Sequence, residues 1–370
     1  MKKKILVISH DFVKKVNIKV YEELQKNKKN IKILCLRPKK LYINKKHIKS
    51  DFNQKDCNVK ILETKILFNN LRLLYFKNIS QIIKKFKPSE VIIHNDPISL
   101  QVIILAILSF INNYSIYCMS NENKIISYTK KLYIQKIPRI ILLLILNFFV
   151  KYKIKNIFCI SKQIKKNYDF LGYKKKTILM PLGYDKKIFK RKNNKNKIFT
   201  ISYFGRISPE KGIHILIKAL EKVEFKFNFF LDTGHIEDKN YFKEILKKLK
   251  KILPSSYISL INCNHFEIAN FMSKSDLVVL PSIYEEQYGR VIQESVACGS
   301  LVIGSRVGAI PEIIKDNDLL FEKNNYRQLA TKINLLKNRN FYKNKINKIY
   351  KIITKERSLD KQLYILKNLF

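Results

Sequence analysis

Glycine is scarce and unevenly placed. The 370-residue chain has nine, and none precedes Gly172. A dinucleotide fingerprint of the Gly-x-Gly-x-x-Gly kind is therefore excluded from the first half. Seven of the nine lie between Gly205 and Gly308, so a phosphate cradled by backbone amides belongs to the second half. Cysteine offers little. Cys35, Cys57, Cys118, Cys159, Cys263 and Cys298 show no zinc-like or redox-like spacing, and several sit in apolar runs. They read as buried thiols in a reducing compartment. Long hydrophobic runs are missing too. Residues 97–111 and 140–150 fall short of a membrane span, which takes about 18–20 residues, and read as buried helices. The apolar stretch of the opening MKKKILVISHDF is too short for a secretory signal. Acidic residues are few: Asp+Glu is 29 against 73 Lys+Arg, a net charge of +44.

That charge first suggests a nucleic-acid binder. The composition argues otherwise. Only ten of the basic residues are Arg, and the 63 Lys are spread along the whole chain. Phosphate forks and base readout favour Arg. Abundant Lys, Asn and Ile fit AT-rich codon usage as the main cause, with an anionic partner contributing. Residues 140–150 are bracketed by Lys136 and Arg139 before and Lys151, Lys153 and Lys155 after, so this segment suits an anionic bilayer surface. With 46% hydrophobic and 12% aromatic residues, the chain is not disordered as a whole.

Short apolar runs alternate with helical patterns. Strands are predicted at 4–10, 31–36, 58–62, 90–94, 115–118, 157–161 and 177–181, with helices at 15–26 and 71–86 among those between them. The basic stretch 184–197 reads as a linker. The pattern restarts with strands at 199–204, 225–231, 257–261, 276–281, 300–304 and 319–321. Such alternation implies parallel sheets covered on both faces. The expectation is an α/β chain of two Rossmann-like, doubly wound domains facing across a cleft. Their ranges are 1–183 and 198–354, with a terminal helix at about 355–370 packing back on the first. Ligands of such sheets bind at the carboxyl ends of the strands.

Two constellations carry chemistry. In YFGRISPEKG (203–212), Gly205 permits a tight turn after a strand. Ser208 suits an N-cap, Pro209 the first helical position and Glu210 the first turn, which also holds Lys211. Arg206 and Lys211 beside free helix amides make a diphosphate site. In LPSIYEEQYGRVIQESVACGSLVIGSRVGAIPEII (280–314), Glu285 and Glu286 fall in the loop after a buried strand. Tyr288 and Gly289 open a helix that carries Arg290 and Glu294. A carboxylate in the loop and another on the helix suit the hydroxyls of a ribose and a sugar ring. Exposed amides near Gly289 suit a phosphate.

Segment 280–314 resembles the signature of group 1, family 4 retaining glycosyltransferases, which use nucleotide sugars. The matching positions are Pro281, Ser282, Glu286, Gly289, Glu294, Gly299, Gly308, Pro311 and Glu312. Segment 203–212 is similar to the same family's Gly-Arg…Lys-Gly element. The resemblance is specific over about 200–314 and architectural elsewhere. It implies a GT-B fold whose C-terminal domain takes the nucleotide sugar and whose N-terminal domain takes the acceptor. Arg206 and Lys211 would then neutralise the diphosphate, Glu294 would hold the ribose hydroxyls, and Glu286 would contact the donor sugar. Gly205, Tyr288, Gly289 and Arg290 would complete the donor site. With Arg and Lys supplying the charge, neither metal nor cofactor is expected.

The chain departs from the pattern in three places. His10-Asp11-Phe12 stands where the family often has a Gly pair. Asp232-Thr233-Gly234-His235 replaces a Gly-x-Gly turn. The loop 118–124, where a His is common, offers Asn121 and Glu122 instead. His10 and His94, at strand ends, are further candidates on the acceptor side. The resemblance implies transfer from a UDP-sugar, or a GDP-sugar, to a glycan or lipid-linked saccharide hydroxyl in surface polysaccharide, lipopolysaccharide or glycolipid synthesis. The setting would be cytoplasmic, with peripheral contact on the inner face of the plasma membrane, and nucleic acid is not an expected partner. The rival readings are a basic nucleic-acid-binding protein and a non-catalytic glycosyltransferase-like protein.

Overall fold

A computed structural model describes residues 2–43, 46–48, 50, 58–68, 70–121, 141, 144–148, 151–192, 194–262, 264 and 266–370. The chain divides into two units, 1–180 with 363–370, and 181–362.

The first unit is built on β1 (Lys3–Ile8), β2 (Ile31–Pro38), β3 (Leu41–Ile43), β4 (Lys46–Ile48), β5 (Val59–Leu62), β6 (Thr64–Ile66), β7 (Leu74–Phe76), β8 (Glu90–Ile93), β9 (Ser115–Ser120), β10 (Ile154–Cys159) and β11 (Thr177–Leu179). Seven of these form one sheet in the order β11-β10-β9-β8-β1-β2-β5. Every pairing in it is parallel. The central strands are near-continuous runs of Val, Ile and Leu because helices cover both faces, and β8 is buried at all four positions. The expected helix 71–86 is corrected. Asn70 caps a single 3₁₀ turn at Leu71–Leu73, Leu74–Phe76 pairs antiparallel with β6, and the helix starts only at Ile79. The apolar spacing of 71–76 serves a short strand as well as it serves a helix.

The second unit holds β12 (Phe199–Tyr203), β13 (Phe227–Asp232), β14 (Ile258–Ile261), β15 (Leu277–Leu280), β16 (Leu301–Ser305) and β17 (Leu320–Phe321). Their order is β14-β13-β12-β15-β16-β17, all parallel. The strand order thus reverses between β12 and β15, as it does between β1 and β8 in the first unit. Residues 184–197, expected as a linker, fall inside the second unit, where Tyr184 and Phe189 are buried in the core. Their aromatic side chains are spaced too widely among lysines to stand out in the sequence. The final residues 363–370 join the first unit, where the Phe370 ring packs 4.9 Å from that of Tyr117. The described cysteines Cys35, Cys118, Cys159 and Cys298 are buried and free, while Cys57 and Cys263 lie outside the described residues. No described helix is long and apolar enough to cross a membrane.

Candidate functional site

The two constellations meet at the carboxyl ends of β12 and β15. After β12 the chain turns through Gly205 and Arg206 into a 3₁₀ turn at Pro209–Lys211, and the helix proper is Ile213–Leu220. This corrects the expectation that the helix starts at Pro209. Gly212 intervenes at φ 69°, and a Cβ there would stand 1.9 Å from the Pro281 carbonyl oxygen. Backbone therefore packs on backbone where the motifs cross. Ile283 and Tyr284 both donate their amides to the Glu210 carbonyl, at 3.0 and 3.2 Å. Ser208 makes no capping bond, and its buried Oγ has no partner among the described residues.

The same crossing brings charges together. Lys211 Nζ donates to Glu286 Oε1 at 2.5 Å, and Ser282 Oγ donates to that oxygen at 2.6 Å. Both Lys211 and Glu286 are largely shielded from solvent. Gly308 holds the Glu286 backbone in place: a Cβ at 308 would lie 2.3 Å from the Glu286 carbonyl oxygen. Arg206 is also paired, its guanidinium reaching Glu237 Oε2 and Glu210 Oε1, each at 2.8 Å. Glu237 follows β13 and was not legible as a partner, since no local spacing links it to residue 206. Asp232, at the end of β13, accepts the Gly234 amide at 2.9 Å, and burial raises its carboxyl above the ordinary range.

Gly289, at φ 64°, precedes the helix Arg290–Ala297. Glu294 is buried on that helix, and no hydrogen bond holds its carboxyl among the described residues. Burial pushes it up to about 7, with Arg290 opposing. A buried acid of this kind has unused capacity for ligand hydroxyls. Tyr288 is engaged internally. Its hydroxyl bonds to the Leu182 carbonyl and lies 2.9 Å from Gln293 Oε1.

In the first unit, His10 stands 3.3 Å from Asp11 Oδ1. His94 is buried, with Nε2 2.6 Å from the Tyr21 hydroxyl and its ring edge-on to Phe12. Asn121 follows β9, and its buried Oδ1 has no partner among the described residues. Glu122 lies outside the described residues. No local spacing marks Asp96 as a hub. It accepts Ser120 Oγ at 2.6 Å and the Tyr168 hydroxyl at 2.9 Å on one oxygen and Arg72 Nε at 3.3 Å on the other. These groups come from four separate stretches of chain, and only the fold assembles them.

The expectation of no metal passes over one Asp-x-Asp pair, Asp316 and Asp318. Both are tied to Lys345 Nζ, at 3.0 and 2.5 Å. Among the described residues no group of three or more His, Cys, Asp or Glu is placed to hold a metal.

Residues 185–352 match the family model described as glycosyl transferases group 1. An uncharacterized glycosyltransferase of Methanocaldococcus jannaschii is 34% identical over 195 residues, covering 50% of this chain and 51% of that protein. The lipopolysaccharide 1,2-N-acetylglucosaminetransferase of Salmonella typhimurium is 32% identical over 31% of this chain and 32% of its own. The chain thus spans about half or less of the length of these relatives. The fold is that of GT-B glycosyltransferases. Anabaena HepE, solved in complex with UDP, superposes with a TM-score of 0.76 at 18% identity, over 100% of this chain and 99% of that one.

Proposed function

We propose that the protein is a retaining glycosyltransferase that moves a sugar from a nucleotide diphosphate sugar to an acceptor hydroxyl. The observation that carries this reading is the meeting of Lys211, Glu286 and Ser282 at the point where the strand order reverses, with a buried, unbonded Glu294 on the helix that follows the same loop. Lys211 and Arg206 supply positive charge for the diphosphate as it leaves. Glu294 takes the ribose hydroxyls and Glu286 the donor sugar, with Gly205, Gly289 and Arg290 lining the same edge. Because two cations serve the leaving group, no metal is required. UDP is favoured over GDP, in keeping with the UDP bound by HepE.

The acceptor falls to the first unit, with His10, His94 and Asn121 at its strand ends. A glycan or lipid-linked saccharide suits it, as in surface polysaccharide or glycolipid synthesis. Exposed Phe110, Ile111, Phe148 and Tyr152 support contact with an anionic membrane from the cytoplasmic side. Lys153 lies 4.0 Å over the Phe110 ring and Lys151 4.6 Å over that of Phe148, which places cations among the apolar groups.

The test is a thermal-shift series with UDP, GDP, ADP and CMP, without added metal, on the intact protein and on Lys211→Ala and Glu294→Ala. A ligand at a hundred times its dissociation constant adds about 2.7 kcal/mol of stability. The expected result is a shift with one diphosphate, reduced in both variants. No shift with any of them, together with tight, salt-sensitive binding to DNA or RNA, overturns the proposal.

A further inference from the structure

At the opposite, amino-terminal edge of the second unit's sheet lies a cavity of about 340 Å³. Its charged lining is Arg191, Lys195, Lys197, Arg339, Lys343 and Asp276. Five cations thus face one carboxylate, and Asp276 Oδ2 already accepts the Thr200 amide at 2.8 Å. None of the five forms an ion pair within 4.0 Å among the described residues. Lys195 donates to the Ser275 carbonyl, and desolvation holds its ammonium down at about 8 although Asp276 acts to raise it. All five are exposed residues, and what sets them apart from the dispersed surface lysines is that they converge on one cavity.

The site is assembled from distant stretches. Arg191, Lys195, Asn196, Lys197 and Phe199 supply one wall. One face of the helix Arg339–Glu356 supplies the other, at positions 339, 342, 343, 346 and 347. The spacing of three and four residues puts these on a single stripe. The amino terminus of that 18-residue helix adds its partial positive charge. Phe199, Tyr342 and Ile346 add apolar surface, and the Phe199 and Tyr342 rings are 6.1 Å apart and steeply inclined. A second cavity of about 320 Å³ shares Lys197, Phe199 and Arg339, so room extends beyond the cations.

We propose that this cavity binds a phosphate monoester carried on a sugar-ring- or nucleobase-sized body. The cations take the dianion, and the ring packs against Phe199 and Tyr342. The site is separate from the donor edge. Lys195–Phe199 precede β12 whereas Gly205 and Arg206 follow it, so the five residues of β12 put about 16 Å between the two edges. Both can therefore be occupied at once, and occupancy of this cavity does not depend on the donor site.

The experiment is calorimetric titration of the intact protein at 0.15 M salt, first with UDP alone and then with AMP, glucose 6-phosphate and inorganic phosphate as probes, each with and without saturating UDP. Three proteins are compared: the unaltered chain, R339Q/K343Q, and K250Q/K251Q. The last carries the same charge change on exposed residues of another helix. Arg339 and Lys343 are exposed enough that both variants fold, which their melting temperatures check. The expected result is one-to-one binding of AMP or glucose 6-phosphate, weakened at least about tenfold in R339Q/K343Q and unchanged in K250Q/K251Q. No binding by any probe, binding abolished by UDP, or equal weakening in both variants overturns the proposal. UDP binding is measured in the same runs, so failure of the donor site registers separately.

Discussion

The two units share one strand order around their first six sheet strands, yet they fill the equivalent turn differently. After β1 the chain runs Ser9-His10-Asp11-Phe12 into a 3₁₀ turn, with Ser9 Oγ accepting the Asp11 amide and Phe12 buried. After β12 it runs Phe204-Gly205-Arg206, with Gly205 at φ 142° and Arg206 half-exposed. After the neighbouring strand, the first unit places a packed His94 and the buried Asp96. The second places Pro281, Ser282 and Glu286. The same topology thus gives a filled switch point in one unit and a charged, hydroxyl-accepting one in the other. Only the second unit brings glycine to that turn, and a residue without a Cβ is what lets a ligand come close to the backbone.

The strongest way to break this contrast is to spoil the crossing that builds the charged site. Gly212→Ala forces a Cβ to within 1.9 Å of the Pro281 oxygen at a positive φ. The expected cost is at least about 3 kcal/mol, since backbone on both sides must move. Denaturant unfolding checks it, and UDP binding falls together with stability. Next in size is Lys211→Ala. If Lys211 faces the departing phosphate as proposed, its removal lowers kcat by about 10²–10³-fold. Stability falls by only about 1–3 kcal/mol, as Glu286 keeps Ser282 as a donor. A transfer assay on folded protein separates the two effects.

Glu294 sharpens the comparison through pH. Its carboxyl is near 7 in the folded chain against an ordinary 4.5. Between those values the unfolded chain has lost the proton that the folded chain keeps, so stability falls as pH rises and the penalty is complete above about pH 7. At about 1.4 kcal/mol per unit the penalty reaches at most about 3 kcal/mol. Glu294→Gln is expected to remove this slope and to melt higher than the unaltered protein at pH 8, while binding UDP more weakly. Equal melting temperatures at pH 8 would show that the acid is not held out of water as its position indicates.

Much of this contrast is legible in the amino-acid order itself. The strand alternation marks all thirteen strands of the two large sheets to within a few residues, because buried parallel strands are near-continuous apolar runs. The pairing of Lys211 with Glu286 is only suggested, since 75 residues separate them and the motif order alone links them. Arg206 with Glu237, Arg72 with Asp96, and the cation-lined cavity are not legible. Each joins chain segments whose proximity is created by sheet order, and sheet order is not a local property. The helix start at Ile213 is misread for a different reason. Ser-Pro-Glu is a sound helix opening, but Gly212 must sit against Pro281, and that tertiary contact breaks the helix.

The smallest expected effect tests the filled side. Tyr21 donates to His94 Nε2, or accepts from it, at 2.6 Å in a pocket closed by Phe12. Tyr21→Phe keeps the ring and removes the hydroxyl, leaving the imidazole without that partner. One buried hydrogen bond of this kind is worth about 1–2 kcal/mol, so the melting temperature drops by a few degrees. If the first unit handles the acceptor, KM for the acceptor rises while the UDP dissociation constant stays fixed. A parallel loss of UDP affinity would mean that the packed histidine belongs to the donor side, and the division of labour between the two switch points would not hold.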